Sequence, residues 1–219
     1  SDLLPRELVV KLDWPQTWAA CMDHYCALSR PEIRDVFKAF CDARPVGQKF
    51  AHRACDGPAG SSPSMKWVNP PVAYMMHAGV PLLRAAGLHL PGLCHGDERR
   101  VGLEAYPGLL ARELIGNRSY KSDDRSKQTA DRWVARSDLL QKLELGQTRS
   151  GLRLQLGNAL RERLLSDGKA DELDAVLCMV QAAWGLGRYE QGDQRYGLAE
   201  FDGLEGWIVG GMITPTLGW

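Results

Sequence analysis

The stretch KADELDAVLCMVQAAW, Lys169–Trp184, decides the fold prediction for this chain. Its apolar residues recur at the three- and four-residue spacing that places side chains on one face of an α-helix. The stripe consists of Leu173, Val176, Leu177, Val180 and Trp184. The pattern predicts a helix that packs this face against a core.

A second stripe of the same helix is polar and begins with two carboxylates, Asp171 and Asp174. Residues three apart lie side by side on a helix, and the helix dipole favours negative charge at its N-terminal end. Two interpretations fit the pair. It is either ordinary first-turn dipole and capping chemistry, or part of a site for a divalent cation.

A short apolar run, VGLEAYP at Val101–Pro107, supplies a third carboxylate. Its alternation predicts a strand that stops at the proline, with Glu104 facing away from its apolar neighbours near the C-terminal end. An acid in that position, beside the helix-borne pair, would complete a metal site. We therefore expect Glu104 and Asp174 to lie close together in space.

Five stretches of the chain carry a family resemblance. They are KFAHRACDGPAGSSPSMKWVNPPVAYMMHAG (49–79), VGLEAYPGLLARELIG (101–116), YKSDDRSKQTADR (120–132), ADELDAVLCMVQAAW (170–184) and LEGWIV (204–209). Through them the chain resembles the domain-of-unknown-function family numbered four-two-nine, whose members are predicted nucleases of the ribonuclease-H fold. The EAYP motif and the DxxDA step are the most specific parts of the resemblance.

The resemblance implies a single ribonuclease-H-like domain over residues 1–219, with a helix-rich α/β fold and a central sheet with packed helices. It also implies a divalent-metal-dependent nuclease or phosphoesterase. Glu104 and Asp174 match the family's ligands for Mg²⁺ or Mn²⁺, and Asp171 is a further candidate. These residues would activate a water and stabilise the leaving oxygen through the metal.

One ligand of the superfamily, the first-strand aspartate, has no secure match, and we expect N-terminal strands to be missing. Asp13 in VVKLDW imitates that ligand, but the following WPQTW predicts a loop that leads into a helix. A second interpretation therefore stays open. In it the chain is a catalytically weak or inactive binding or scaffolding module that keeps the fold.

Composition limits the partners of the chain. Lys plus Arg and Asp plus Glu both total 27, so the net charge is near zero. Because the chain has no overall positive charge, nucleic acid would have to bind a local basic patch. The six cysteines form no CxxC pair, and the sequence shows neither a signal peptide nor an apolar run of about 18 residues. We expect a cytoplasmic protein with reduced thiols and no membrane contact.

Two polar segments are candidates for holding phosphate. The first is a long loop at about 45–71, in which His52 and Arg53 either contact substrate or staple the loop through a salt bridge to Asp56. The second is Asn117–Thr129, in which Lys121 and Arg125 would hold a phosphate backbone while Tyr120 stacks on a base. The alternative for this second segment is a solvated loop of mixed charge.

Periodicity and turn residues predict the remaining elements. Helices are expected at 17–28, 72–78, 81–86, 109–115, 129–145 and 160–165. One more helix is expected to begin at a capping box formed by Ser29 and Glu32. A strand is expected at 152–156 and a short strand or edge segment at 204–209.

Overall fold

The computed structural model describes residues 3–210, which divide into two compact units. Unit 1 contains the described residues up to Glu104 together with those from Leu198 onwards. Unit 2 is the continuous segment Ala105–Gly197. Each unit has its own cluster of buried apolar side chains.

Unit 1 contains five of the described helices and one pair of parallel strands. These are α1 (Arg6–Lys11), α2 (Trp18–Ala27), α3 (Arg30–Asp42), α4 (Asp56–Ala59), α5 (Val72–Ala85), β1 (Leu88–His89) and β2 (Asp97–Val101). In the strand pair, Leu88 lies opposite Asp97 and His89 opposite Val101, with an irregular register between them. The described structure is thus helix-rich with a small parallel sheet, in agreement with a helix-rich α/β fold.

Helix α3 begins at the capping box that the sequence predicts. The Ser29 hydroxyl accepts the Glu32 amide at 3.4 Å, and the Glu32 carboxylate accepts the Ser29 amide at 2.7 Å. These reciprocal bonds satisfy amides that lack a partner within the helix. The helix then buries Ile33, Phe37 and Phe40 in the core of unit 1.

Unit 2 consists of four helices joined by irregular segments. They are α6 (Pro107–Ile115), α7 (Ala130–Glu144), α8 (Asn158–Ser166) and α9 (Asp171–Glu190). Helix α6 packs against α7 and α9, and α7 also packs against α8. The predicted stripe of α9 is confirmed, because Leu173, Leu177 and Val180 are buried in the core of this unit.

The predicted strand through VGLEAYP is wrong beyond its first residue. Strand β2 ends at Val101, and Gly102–Tyr106 has no regular secondary structure. The partner strand β1 is only two residues long, so it offers little backbone for pairing after Val101. The last such contact is the Gly102 amide, which donates to the backbone carbonyl of His89 at 2.9 Å. Glu104 therefore lies on an irregular segment rather than on a strand.

The other two predicted strands are also absent from the described residues. In Leu152–Leu156 the alternating leucines face helices, and the Leu154 amide donates to the carbonyl of Leu143 in α7 at 3.0 Å. The stretch 204–209 contains a turn, after which the Val209 amide donates to the backbone carbonyl of Glu104 at 2.8 Å. Alternation of apolar and polar residues indicates which side chains are buried. A strand also requires a neighbouring strand to pair with, and the alternation does not indicate one.

The two short helices predicted around Gly79 form one continuous helix. Helix α5 runs from Val72 to Ala85 and includes Pro81. Gly79 keeps helical backbone there, so it does not act as the predicted C-terminal stop.

Two further features concern the helices and the cysteines. None of the helices among residues 3–210 combines the length and the apolar character that crossing a bilayer requires. All six cysteines are free thiols.

Candidate functional site

Arg53 lies at the centre of a buried network of charged groups in unit 1, which we call the Arg53 network. Its members are Arg53, Asp56, Glu104 and Glu205. The guanidinium donates twice to Asp56, at 3.2 and 3.1 Å, and twice to Glu104, at 2.7 and 2.9 Å. A further bond reaches the Glu205 carbonyl at 3.2 Å. These five contacts use all five N–H donors of an arginine.

Both carboxylates that face Arg53 are shielded from water. The side chains of Arg53 and Asp56 are fully buried, and that of Glu104 is 8% exposed. Burial lowers the pKa of Arg53, but the neighbouring acidic groups, with Glu104 first among them and Asp56 also contributing, together outweigh burial, and the pKa is raised. Arg53 therefore stays charged and compensates two buried acids.

The network also ties distant parts of the chain of unit 1 together. Asp56 accepts the Arg53 amide at 2.9 Å and the Ser61 hydroxyl at 2.8 Å, which closes the turn around α4. The Glu205 carboxylate accepts amides from Arg6 at 2.6 Å and Ala54 at 3.0 Å. The salt bridge that staples the 45–71 loop is thus present, and Glu104 extends it.

The Arg53 network contains two of the predicted site residues, Arg53 and Glu104, and bonds them to each other. All five guanidinium N–H groups of Arg53 are engaged within the protein in this conformation, and its contact with substrate stays a prediction. Both carboxylate oxygens of Glu104 accept from the guanidinium, and metal binding by Glu104 stays a prediction. His52 is exposed and keeps its side chain on the surface of unit 1.

Asp174 occupies a second, smaller cluster at the start of α9 in unit 2. One carboxylate oxygen accepts the Tyr120 hydroxyl at 2.6 Å, and the other forms an ion pair with Lys121. Burial raises the pKa of Tyr120, and the bond to Asp174 raises it further. Tyr120 is buried in this conformation, and stacking of its ring on a base stays a prediction.

The second acid of the DxxDA step lies apart from this cluster. Asp171 is exposed, and its amide donates to the Asp167 carboxylate at 3.0 Å. Asp167 also accepts the Lys169 amide at 3.0 Å, so it caps the turn that leads into α9. The acid that accepts these amides is therefore Asp167, and neither interpretation of the Asp171 and Asp174 pair is decided by it.

A metal site is not assembled among residues 3–210. No group of three or more His, Cys, Asp or Glu side chains there is placed to hold an ion. Glu104 belongs to unit 1 and Asp174 to unit 2. Their proximity stays a prediction.

A surface cleft opens at the N-terminal end of α7 in unit 2, and we call it the α7 cleft. Its lining consists of Arg118, Ser119, Ser126, Lys127, Thr129, Asp131, Arg132 and Val134. Thr129 occupies the N-cap position but makes no side-chain hydrogen bond to the first turn. The positive end of the helix dipole therefore faces the cleft without a capping acceptor from Thr129.

The basic side chains of the cleft are held by weak, exposed contacts. Arg132 donates to the Ser119 hydroxyl at 3.1 Å and to the Lys127 carbonyl. Arg118 pairs with Asp138 at 2.7 Å, and Lys127 with Asp124 at 3.4 Å. Exposed ion pairs contribute roughly 0–1 kcal/mol each, so a phosphate can replace their acceptors at little cost.

The segment before α7 is ordered by its own hydrogen bonds. A 3₁₀ turn spans Arg125–Lys127, and Asp124 accepts the Ser126 amide and hydroxyl at 3.0 and 2.7 Å. Gln128 donates to the Ser122 carbonyl at 2.9 Å and packs against Gly168, where a Cβ would overlap its side chain. Arg125 is exposed on this turn.

The sequence pattern indicated the basic segment but not all of the residues that line the α7 cleft. Arg132 and Ser119 were not candidates, because they lie at the edges of the polar run. The available signal was Thr129, an N-cap residue with basic residues two positions before and three positions after it. Such spacing brings the cations to the same end of the helix.

No protein-family model, curated protein or solved structure matches the sequence of this chain.

Proposed function

We propose that this chain binds nucleic-acid phosphates through the α7 cleft. The observation that carries the proposal is the N-terminus of α7, which opens into a cleft lined by Arg118, Lys127 and Arg132. Helix amides and hydroxyl groups donate to phosphate oxygens, and guanidinium groups bind them in pairs. The cleft offers all three kinds of donor.

The distribution of charge favours a polymer of phosphates over a single anion. Arg118–Arg132 contains five basic and three acidic residues, so positive charge continues along the segment beyond the cleft. Lys121 and Arg125 would contact neighbouring phosphates, as the sequence predicted. Because the whole chain has no net charge, binding depends on this local patch and should weaken steeply with salt.

The expected result is that a Lys127→Gln, Arg132→Gln double variant binds single-stranded DNA or RNA about tenfold more weakly at about 50 mM salt. The reason is the loss of two phosphate contacts next to the helix end. Fluorescence anisotropy with a labelled oligonucleotide of about 20 nucleotides measures the affinity.

The matched control removes the same charge from α3, with Arg34→Gln and Lys38→Gln. Both side chains are exposed and pair with acids on their own helix. We expect the control to bind within about twofold of the native chain. An equal loss in both variants would mean that binding follows total charge, and the cleft would then have no special role.

A second candidate function is metal-dependent hydrolysis on a ribonuclease-H-like fold, as the resemblance implies. It is favoured by the Asp174–Lys121 pair, because Lys121 is 44% exposed and a divalent cation can displace its flexible ammonium group. Asp171 lies one turn earlier on α9 and is open to solvent. Mg²⁺ or Mn²⁺ bound there would supply an activated water.

We expect this candidate activity to be weak, because Glu104 is engaged by Arg53. Calorimetric titration should show weak Mn²⁺ binding that Asp174→Asn removes and Glu104→Gln leaves unchanged. A nuclease assay with Mn²⁺ should show little or no cleavage by the native chain. Robust cleavage that Glu104→Gln abolishes would show instead that the reaction depends on Glu104.

A further inference from the structure

Helix α9 has a second apolar face, opposite to the one that it buries in the core of unit 2. We call it the outer face of α9. It consists of Ala175, Met179, Ala182, Leu186 and Tyr189, all of which are exposed. The exposed fractions of Met179, Leu186 and Tyr189 are 52%, 53% and 40%. The helix therefore presents large apolar side chains on the side that faces away from its own core.

The outer face differs from an ordinary solvent-exposed helix face because it carries no charge. Charged residues are missing from the sequence between Asp174 and Arg188, which is roughly three and a half turns of helix. By contrast, the exposed face of α3 carries Arg34, Asp35 and Lys38. A helix that is apolar on all sides is normally covered on all sides. The outer face of α9 therefore has the character of an interface.

The outer face also has the spacing of a coiled-coil seam. Its five residues follow one another at intervals of four, three, four and three, which is the heptad pattern of positions that face a partner helix. Along the first four positions, small and large side chains alternate as alanine, methionine, alanine and leucine. A helix that packs well on this face must offer the opposite alternation.

We propose that the outer face of α9 binds the same face of a second copy of this chain, with the two helices antiparallel. Reversing the helix reverses the order of small and large positions, so the face complements itself. Met179 then lies against the partner's Ala182, and Leu186 lies against the partner's Ala175. Each contact occurs twice across the twofold axis, as in a C₂ interface. A parallel pair would instead place Met179 on Met179 and leave space between the alanines.

The dimer is expected to be weak. Ala175–Leu186 spans only about 17 Å of helix, so the interface lies at the small end of the size range of protein–protein contacts. We expect a dissociation constant of roughly tens of micromolar. The proposal is independent of phosphate binding, because the outer face shares no residue with the α7 cleft.

Sedimentation velocity of the full chain, from about 1 to about 500 µM, measures the association. We expect the mass to rise from one chain towards two. Met179→Glu should raise the dissociation constant at least about thirtyfold, because it brings two carboxylates into an apolar contact. The matched control is Leu145→Glu at the end of α7, where the side chain is 54% exposed. It should leave the association unchanged.

A second pair of variants tests the antiparallel alternation. Ala182→Met should weaken the dimer about tenfold, because large side chains would meet large ones. Adding Met179→Ala to it restores the alternation and should return the dissociation constant to within about threefold of the native value. All of these positions are exposed, so the core of unit 2 is preserved.

Three results would overturn the proposal. A chain that stays monomeric over the whole concentration range would mean that something other than a second copy covers the outer face. A dimer that Met179→Glu leaves intact would place the interface elsewhere. An Ala182→Met dimer that is tighter than the native one would contradict the antiparallel contact between positions 179 and 182.

Discussion

Replacing Arg53 with methionine is expected to lower the free energy of unfolding by about 3–5 kcal/mol, or to prevent folding altogether. Removal of the guanidinium would leave Asp56 and Glu104 buried without their shared cation. Methionine fills much of the space but returns no charge. The penalty therefore comes from two uncompensated carboxylates, not from a cavity.

Urea denaturation followed by circular dichroism measures this effect. The matched control is Arg99→Met, since Arg99 is an arginine of unit 1 whose side chain is 91% exposed. It should change stability by less than about 0.5 kcal/mol. Glu104→Gln should cost an intermediate amount, about 1.5–3 kcal/mol, because it weakens a charged pair and leaves Arg53 bonded to Asp56. An Arg53→Met protein as stable as the control would contradict the network.

The second large effect is expected at Arg136 of α7, where methionine should cost about 2 kcal/mol. Arg136 is 4% exposed and donates to the Tyr120 carbonyl at 2.8 Å and to the Leu165 carbonyl at 3.0 Å. The substitution leaves both carbonyls without this donor. Burial lowers the pKa of Arg136, so removing the guanidinium also relieves a desolvation cost, and the net loss is smaller than at Arg53.

Arg136 also holds the segment that leads to the α7 cleft, which gives this prediction a second measurement. Arg136→Met should weaken oligonucleotide binding as well as stability, because Tyr120 and Lys121 lose their anchor. The control is Arg161→Met on α8, a half-exposed arginine that pairs with Glu144. Arg161→Met should leave binding unchanged. Unaltered stability and binding in Arg136→Met would contradict the anchoring role.

Local signals in the sequence predicted local structure well. The spacing of Leu173, Leu177 and Val180 defined the buried face of α9, and Ser29 with Glu32 marked the start of α3. The Arg53–Asp56 bridge was also within reach, since the partners are three residues apart. All three features depend on neighbours within about one helical turn.

Features that depend on distant partners could not be predicted. The Leu152–Leu156 run has the alternation of a strand, yet the segment that pairs with Leu154 is the end of α7. The resemblance implies that Glu104 is a metal ligand, and in this structure its carboxylate is bonded to Arg53, 51 residues away. No spacing rule connects those two side chains, so their bond could not be predicted from the sequence.

The salt dependence of oligonucleotide binding tests the central claim most directly, because it counts the phosphate contacts made by the α7 cleft. The affinity of the native chain should fall linearly on logarithmic axes, with a slope of about −0.7 for each phosphate contacted on a single strand. Removing Lys127 and Arg132 together should make the slope shallower by about 1.4, whereas the α3 control should keep the native slope. An unchanged slope in the cleft variant would contradict phosphate binding at the N-terminus of α7.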